Sequence, residues 1–156
     1  MRIHLCVVGR LRAGPERDLI DDYLTRFDRT GRALGLGPAR VTEIEDKKGG
    51  GPEAEAALLR RALPEGAVLW VLDERGRMMT SPDFARDIAD LRDRGRGDLA
   101  FVIGGADGVS GAFRDEADRA ISFGQMVWPH MLARVMLAEQ LYRAASILAG
   151  SPYHRV

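Results

Sequence analysis

Ala67-Val68-Leu69-Trp70-Val71-Leu72 is an unbroken apolar run that ends at Asp73. No polar residue alternates with the apolar ones, so a strand built from it must be covered on both faces, the condition of a central strand in a parallel sheet. Its flanks agree. Upstream, Pro52 opens a helix with Ala57, Leu58 and Leu59 among its apolar positions, and Pro64-Glu65-Gly66 ends it. Downstream, Ser81-Pro82 begins a helix with Phe84, Ile88 and Leu91 on its core side. The pattern extends in both directions. Ile3 to Gly9 reads as a first strand, a helix from Pro15 places Leu19, Ile20, Tyr23, Leu24 and Phe27 on one face, and Val41 to Ile44 forms a second strand. Lys47 to Gly51 is a basic, glycine-rich loop. Leu99 to Ile103 is a fourth strand stopped by Gly104-Gly105, Ser110 caps a short helix, and Ala120 to Phe123 makes a fifth strand. A long helix from about His130 to Ala149 carries Met131, Val135, Leu137, Leu141, Ala144 and Leu148.

Strands alternating with helical crossovers require an α/β fold with a mostly parallel sheet and helices on both faces. The 156 residues suit a single domain spanning 1–156. With 46% hydrophobic and 29% charged residues the composition is that of an ordinary globular chain, not of a disordered or fibrous one. No apolar stretch approaches the ~20 residues of a membrane span. The lone Cys6 lies in an apolar strand, so it reads as a core residue, and a reducing cytoplasm is the expected location. The broad apolar surface of the last helix exceeds what one side of a five-stranded sheet needs, which predicts a homodimer.

Formal net charge is zero, so a nucleic-acid partner would have to be held by a local basic face. Of 23 basic residues only Lys47 and Lys48 are lysine. Arginine suits phosphate and base contacts better than lysine, although a biased genome composition produces the same excess.

Ligands of open parallel sheets bind beyond the carboxyl ends of the strands, here Gly9-Arg10, Leu72-Asp73, Gly104-Gly105 and Phe123-Gly124. Gly104 to Gly111 lacks the glycine spacing of a dinucleotide fingerprint and comes too late in the chain for one. No phosphate loop, nucleophile elbow or metal-spaced Cys/His cluster is present in the sequence. The remaining ionisable candidates gather near the C-terminus: His130, Arg134, Glu139, Arg143, His154 and Arg155. On a helix such charges are commonly a solvated face or an intrahelical pair, but Arg134 stands three residues from Leu137 and so lies close to the apolar stripe. The tail 151–156 packs Tyr153, His154 and Arg155 together, more than a free terminus requires.

Four stretches carry a resemblance: Phe101 to Ser110 with Gly104-Gly105-Ala106-Asp107-Gly108, Trp128-Pro129-His130, Leu132 to Ala144, and Pro152-Tyr153-His154-Arg155. In that order they resemble the RlmH family of bacterial large-subunit rRNA pseudouridine N3-methyltransferases, within the SPOUT superfamily. The resemblance implies a deep trefoil knot near the C-terminus, an obligate homodimer, and S-adenosyl-L-methionine as cofactor with no metal. It implies cofactor contacts at Leu72, Gly104, Phe123, Gly124, Gln125, Met126, Val127 and Trp128. The implied substrate is the pseudouridine of the helix 69 loop of 23S rRNA within the 70S ribosome, whose shaped surface would supply affinity that a neutral protein lacks. Among the catalytic residues it implies, His130 and His154 are the general-base candidates, Tyr153 a stacking partner, and Arg134, Arg143 and Arg155 anchors, with the tail reaching the partner's site. A ribosome-binding factor without catalysis and a SPOUT enzyme acting on transfer RNA are the alternatives; a failure to bind S-adenosylmethionine would mark the first, an appended RNA-binding domain the second.

Overall fold

The apolar runs at the centre of the sheet become strands because each can be buried on both sides. In the computed structural model, which describes residues 1–155, β1 (Arg2–Val8), β2 (Ala39–Ile44), β3 (Val68–Met78), β4 (Asp98–Ile103) and β5 (Arg119–Ser122) form one parallel sheet in the order β2-β1-β4-β3-β5. Residue 156 lies outside the described residues. The helices are α1 (Pro15–Gly31), α2 (Gly51–Ala62), α3 (Ser81–Asp93), α4 (Gly111–Glu116) and α5 (His130–Leu148). Two cores result. Ile3, Leu5, Val7, Val68, Trp70, Leu99 and Phe101 point to the side covered by α1, α3 and α5. Cys6, Val8, Leu69, Val71 and Val102 point to the side covered by α2 and α4, through Ala56, Leu59 and Phe113. Strand alternation thus divides the run 68–71 between two hydrophobic layers, as its uniform apolarity requires.

Helix boundaries follow local chemistry. Pro15 occupies the first turn of α1, where its missing N–H costs nothing, and Thr80 and Ser110 cap α3 and α4 by accepting from the amides of Asp83 and Phe113. In the first core Trp70 meets Phe101 edge-on at 5.6 Å, with Phe84 beside both.

The structure departs from the sequence reading at several points. β3 does not stop at Leu72 but continues to Met78. Its pairing with β4 ends at Leu72, and the stretch beyond is held by β5 alone after a register shift between Leu72 and Arg77. Charged residues 73–77 hid this extension, since a strand lying outside the core needs no apolar pattern. Gly76 makes it possible: a Cβ there would stand 2.6 Å from the Ile121 backbone. On α2 the buried pair is Ala56 and Leu59, with Ala57 exposed. Leu19, read as core-facing, is exposed, and Leu91 is only partly buried; Met131, read as part of the broad apolar surface of the last helix, is exposed. β5 lies one residue earlier than the apolar run suggests because Arg119 joins it, its guanidinium 4.5 Å over the Trp70 ring and paired with Asp87.

Candidate active site

Parallel register brings three loops to one place. Leu72 is paired with Ile103 on one side and Ile121 on the other. Gly104 directly follows Ile103 and Phe123 lies two residues past Ile121, so Leu72, Gly104 and Phe123 emerge side by side from adjacent strands. Gly104 cannot be replaced at small cost. A Cβ on it would lie 2.4 Å from the Gly108 carbonyl carbon and 2.7 Å from the Val109 nitrogen. The space a side chain would take is filled by the loop's own backbone, which turns back through Gly105–Gly108. At the neighbouring strand end the Ser122 hydroxyl accepts from the Gly124 amide and donates to its carbonyl. The chain then runs openly: Met126 is 75% and Val127 81% exposed, and Trp128 is also exposed.

The base of this region is braced by Asp73. It accepts from the Arg75 amide at 2.9 Å and from the guanidinium groups of Arg75 and Arg114. Burial pushes its carboxyl upward, but these donors outweigh burial and hold it below the ordinary aspartate range. Asp73 thereby ties the end of the regular β3 ladder to α4.

Helix α5 carries two separate arrangements. Near its start Arg134 is 3% exposed. Its Nη2 donates to the carbonyls of Val8 and Gly9 at 2.5 and 3.0 Å, and Nη1 stands 3.8 Å from Glu43. Burial, opposed by Glu43, lowers the affinity of this guanidinium for its proton. Glu43 also accepts from the Leu11 amide. Arg134 therefore closes the carboxyl end of β1, donating to its last carbonyl, at Val8, and to that of Gly9 just beyond it. One turn earlier, His130 opens α5 after Pro129. Burial, with Arg134 nearby, moves its pKa below the ordinary histidine value, so it is neutral at pH 7.

Further along α5, Glu139 is a hub. Its Oε1 accepts from Arg143 Nε at 3.0 Å, Arg143 Nη2 at 2.5 Å and the Tyr153 hydroxyl at 3.0 Å. Gln140 donates to its other oxygen and accepts from Ser81 on α3. The remaining arm of Arg143, Nη1, lies 3.2 Å from His154 Nδ1. Tyr153 stacks obliquely on Tyr142 at 4.6 Å and faces the Arg143 guanidinium at 4.9 Å. Burial first, then the hydrogen bond to Glu139, pushes the Tyr153 hydroxyl far above its ordinary pKa, so it stays a phenol. Arg155 is exposed beyond this cluster.

The structure thus joins Arg143, Tyr153 and His154 in one network. Arg134 is apart from them, bound to backbone, and the loop 123–128 leads directly into His130. Sequence reasoning noticed Glu139 but gave it no role; Gln140, Ser81 and Tyr142 were missed, and only the i, i+4 spacing of Glu139 and Arg143 signals the hub. Among the described residues no group of His, Cys, Asp or Glu is arranged to hold a metal ion, and no helix is long and apolar enough to cross a membrane.

A parallel α/β sheet with loops converging at its carboxyl edge defines a ligand-binding α/β protein. Comparison makes this specific: residues 1–154 match the family described as predicted SPOUT methyltransferase. The chain is 74% identical to "Ribosomal RNA large subunit methyltransferase H" of Roseobacter denitrificans over 99% of both chains, and 74% identical to the protein of that name from Ruegeria pomeroyi over the whole of both. It belongs to the SPOUT methyltransferases and, within them, to the RlmH family. Among solved structures, a probable methylase family protein from Haemophilus influenzae shares the fold with a TM-score of 0.55 at 11% identity, covering 99% of this chain and 70% of that one. A probable methyltransferase from Bordetella pertussis does so with 0.50 at 17% identity, over 92% and 96%.

Proposed function

We propose that this protein methylates large-subunit ribosomal RNA with S-adenosyl-L-methionine, at N3 of the pseudouridine in the helix 69 loop of 23S rRNA, on the assembled 70S ribosome in the cytoplasm. The supporting observation is the convergence of Leu72, Gly104 and Phe123 at the carboxyl edge, next to an exposed apolar loop, with the Arg143–Tyr153–His154 network on the helix that follows. The site suits the cofactor. Its main-chain groups at Leu72, Gly104 and Phe123 to Trp128 provide donors and acceptors for the nucleoside, while Met126, Val127 and Trp128 offer apolar cover. The sulfonium supplies a methyl group already activated for transfer. What remains for the protein is to hold N3 in line and to take its proton. His130 is neutral at pH 7 and follows the cofactor loop, so it serves as the proton acceptor. Arg155 anchors the RNA, Arg143 and Tyr153 hold the tail against α5, and Arg134 acts on the protein's own backbone.

The active form is a homodimer. A groove of about 570 Å³ between α1, α3 and α5 is lined by Leu19, Tyr23, Met78, Phe84, Val135 and Met136, and exposed Met126, Val127, Trp128, Met131 and Leu132 lie in the chain between its lining residues Gly124 and Val135. It includes Phe123 and Gly124 but neither Leu72 nor Gly104, so it fits a second copy better than the cofactor. In such a dimer the tail of one subunit lies against the cofactor loops of the other. The family's trefoil knot is part of this reading: the β3 extension lies across β5 just before the chain turns into the cofactor loop.

Incubating the protein and radiolabelled S-adenosylmethionine with 70S ribosomes, separated subunits and naked rRNA, all from cells deleted for its gene, tests the proposal. Label at the helix 69 pseudouridine, on 70S particles above all, is the expected result. Cofactor binding without label on any of these would overturn the substrate, and absence of cofactor binding would overturn the enzyme.

A further inference from the structure

The bond between Arg143 and His154 has a chemical direction. A guanidinium has donors only, so at 3.2 Å the Nδ1 of His154 must be the acceptor. In the neutral ring the proton then sits on Nε2. The guanidinium cannot turn away without loss, because Glu139 grips both its Nε and its Nη2. Tyr153 adds its hydroxyl to the same carboxylate oxygen and its ring to the guanidinium face. His154 is next to Tyr153 in the chain, so the tail is latched on both sides of the peptide that joins them. Protonating Nδ1 would place an N–H against a fixed cation. While this latch stands, the Nδ1 lone pair of His154 faces Arg143, and only the Nε2–H edge is turned to an incoming substrate.

We propose that His154 is not the base of the reaction but the hydrogen-bond donor to a carbonyl oxygen beside the methylated nitrogen, and that Glu139, acting through Arg143, is the positioning residue that sets its tautomer. This rests on the function proposed above, since it requires an imide-type nitrogen flanked by carbonyl groups. Loss of the N3 proton spreads negative charge onto those oxygens, and a fixed Nε2–H aimed at one of them stabilises the charge where it develops. The N3 lone pair forms the new N–C bond as the S–C bond breaks, with the bonding pair staying on sulfur. The N3 proton passes to His130, and His154 keeps its own.

The test has two arms. In the first, the protein alone carries 15N-labelled histidine, and the His154 signals are assigned through their loss in His154→Gln. At neutral pH they should show Nε2 protonated and Nδ1 accepting, and Glu139→Ala should shift the Nδ1 signal or mix the tautomers. An Nδ1–H tautomer, an imidazolium, or signals unmoved by Glu139→Ala would overturn the proposal. This arm needs no RNA, so it is decided even if the substrate assignment fails. In the second, single-turnover methyl transfer to ribosomes from the deletion strain is compared for His154→Ala and His154→Gln. Glutamine keeps an outward N–H in the Nε2 position but has no basic nitrogen. His154→Ala should lose about 100-fold, as for removal of one oxyanion donor, and His154→Gln about tenfold or less, with cofactor affinity unchanged in both. Equal loss in the two variants would return His154 to the role of base.

Discussion

Arg134 and Arg143 lie on the same helix, yet they do opposite work. Arg134 spends its hydrogen bonds on the backbone of β1 and on Glu43, and almost none of it reaches the surface. Arg143 spends its bonds on side chains, Glu139 and His154, in a half-buried cluster open to an incoming molecule. The first half of α5 fastens the helix to the sheet; the second fastens the tail to the helix. An arginine near a cofactor loop therefore need not touch RNA, and the identity of its partners, backbone or side chain, is what separates the two roles.

The sharpest challenge to this contrast is to remove each guanidinium in turn. Arg134→Met leaves the buried Val8 carbonyl and the half-buried Gly9 carbonyl without their side-chain donor, and should cost about 3 kcal/mol of stability in urea unfolding. Arg143→Met, whose lost partner is an i,i+4 carboxylate, should cost under ~1 kcal/mol, while methyl transfer drops on the order of 100-fold. If Arg134→Met unfolds like wild type but is inactive, the division of labour is wrong. A smaller change probes the latch alone. Tyr153→Phe keeps the ring on Arg143 and Tyr142 and removes only the hydroxyl on Glu139, so stability should fall by about 1 kcal/mol and transfer in a single-turnover assay only a few-fold.

A pH experiment bears on the helix start. His130 is more readily neutral in the folded chain than in the unfolded one, so the unfolded state binds more protons in acid. Its contribution to stability is full above the unfolded pKa and is lost as pH falls through the lower folded one. His130→Gln should flatten that part of the stability profile measured by urea titration. The smallest effect is also the most local. Cys6 is buried in β1, and burial pushes its thiol up to about 11, so wild type and Arg143→Met should resist alkylation at pH 8. Arg134→Met, with the end of β1 loosened, should label faster.

Much of the sheet was legible because its central strands are buried on both faces, and 68–72 could hardly be anything else. The β3 extension was not, because residues 73–78 pair at one edge only and carry charge. For the site, the strand ends followed from register, and the spacing of Arg134 from Leu137 already placed that arginine beside the buried stripe now seen at Leu137, Ala138, Leu141, Ala144 and Ala145. Its backbone partners lie 125 and 126 residues away, a distance that no local pattern encodes. The Glu139 hub was half visible as an i,i+4 pair, but the convergence of Tyr153 on the same oxygen depends on how the tail folds back after Gly150, where φ is +71°.

The two tryptophans fall on opposite sides of this divide. Trp70 is 2% exposed within the aromatic core, whereas Trp128 is 43% exposed at the end of the loop 123–128. One indole reports on the dry interior and the other on the loop proposed to hold the cofactor. Steady-state emission from Trp128→Phe should therefore be blue-shifted and follow unfolding alone, while the difference from wild type isolates a red-emitting component sensitive to cofactor and to dimer assembly. The protein carries its own optical readout for separating folding from binding.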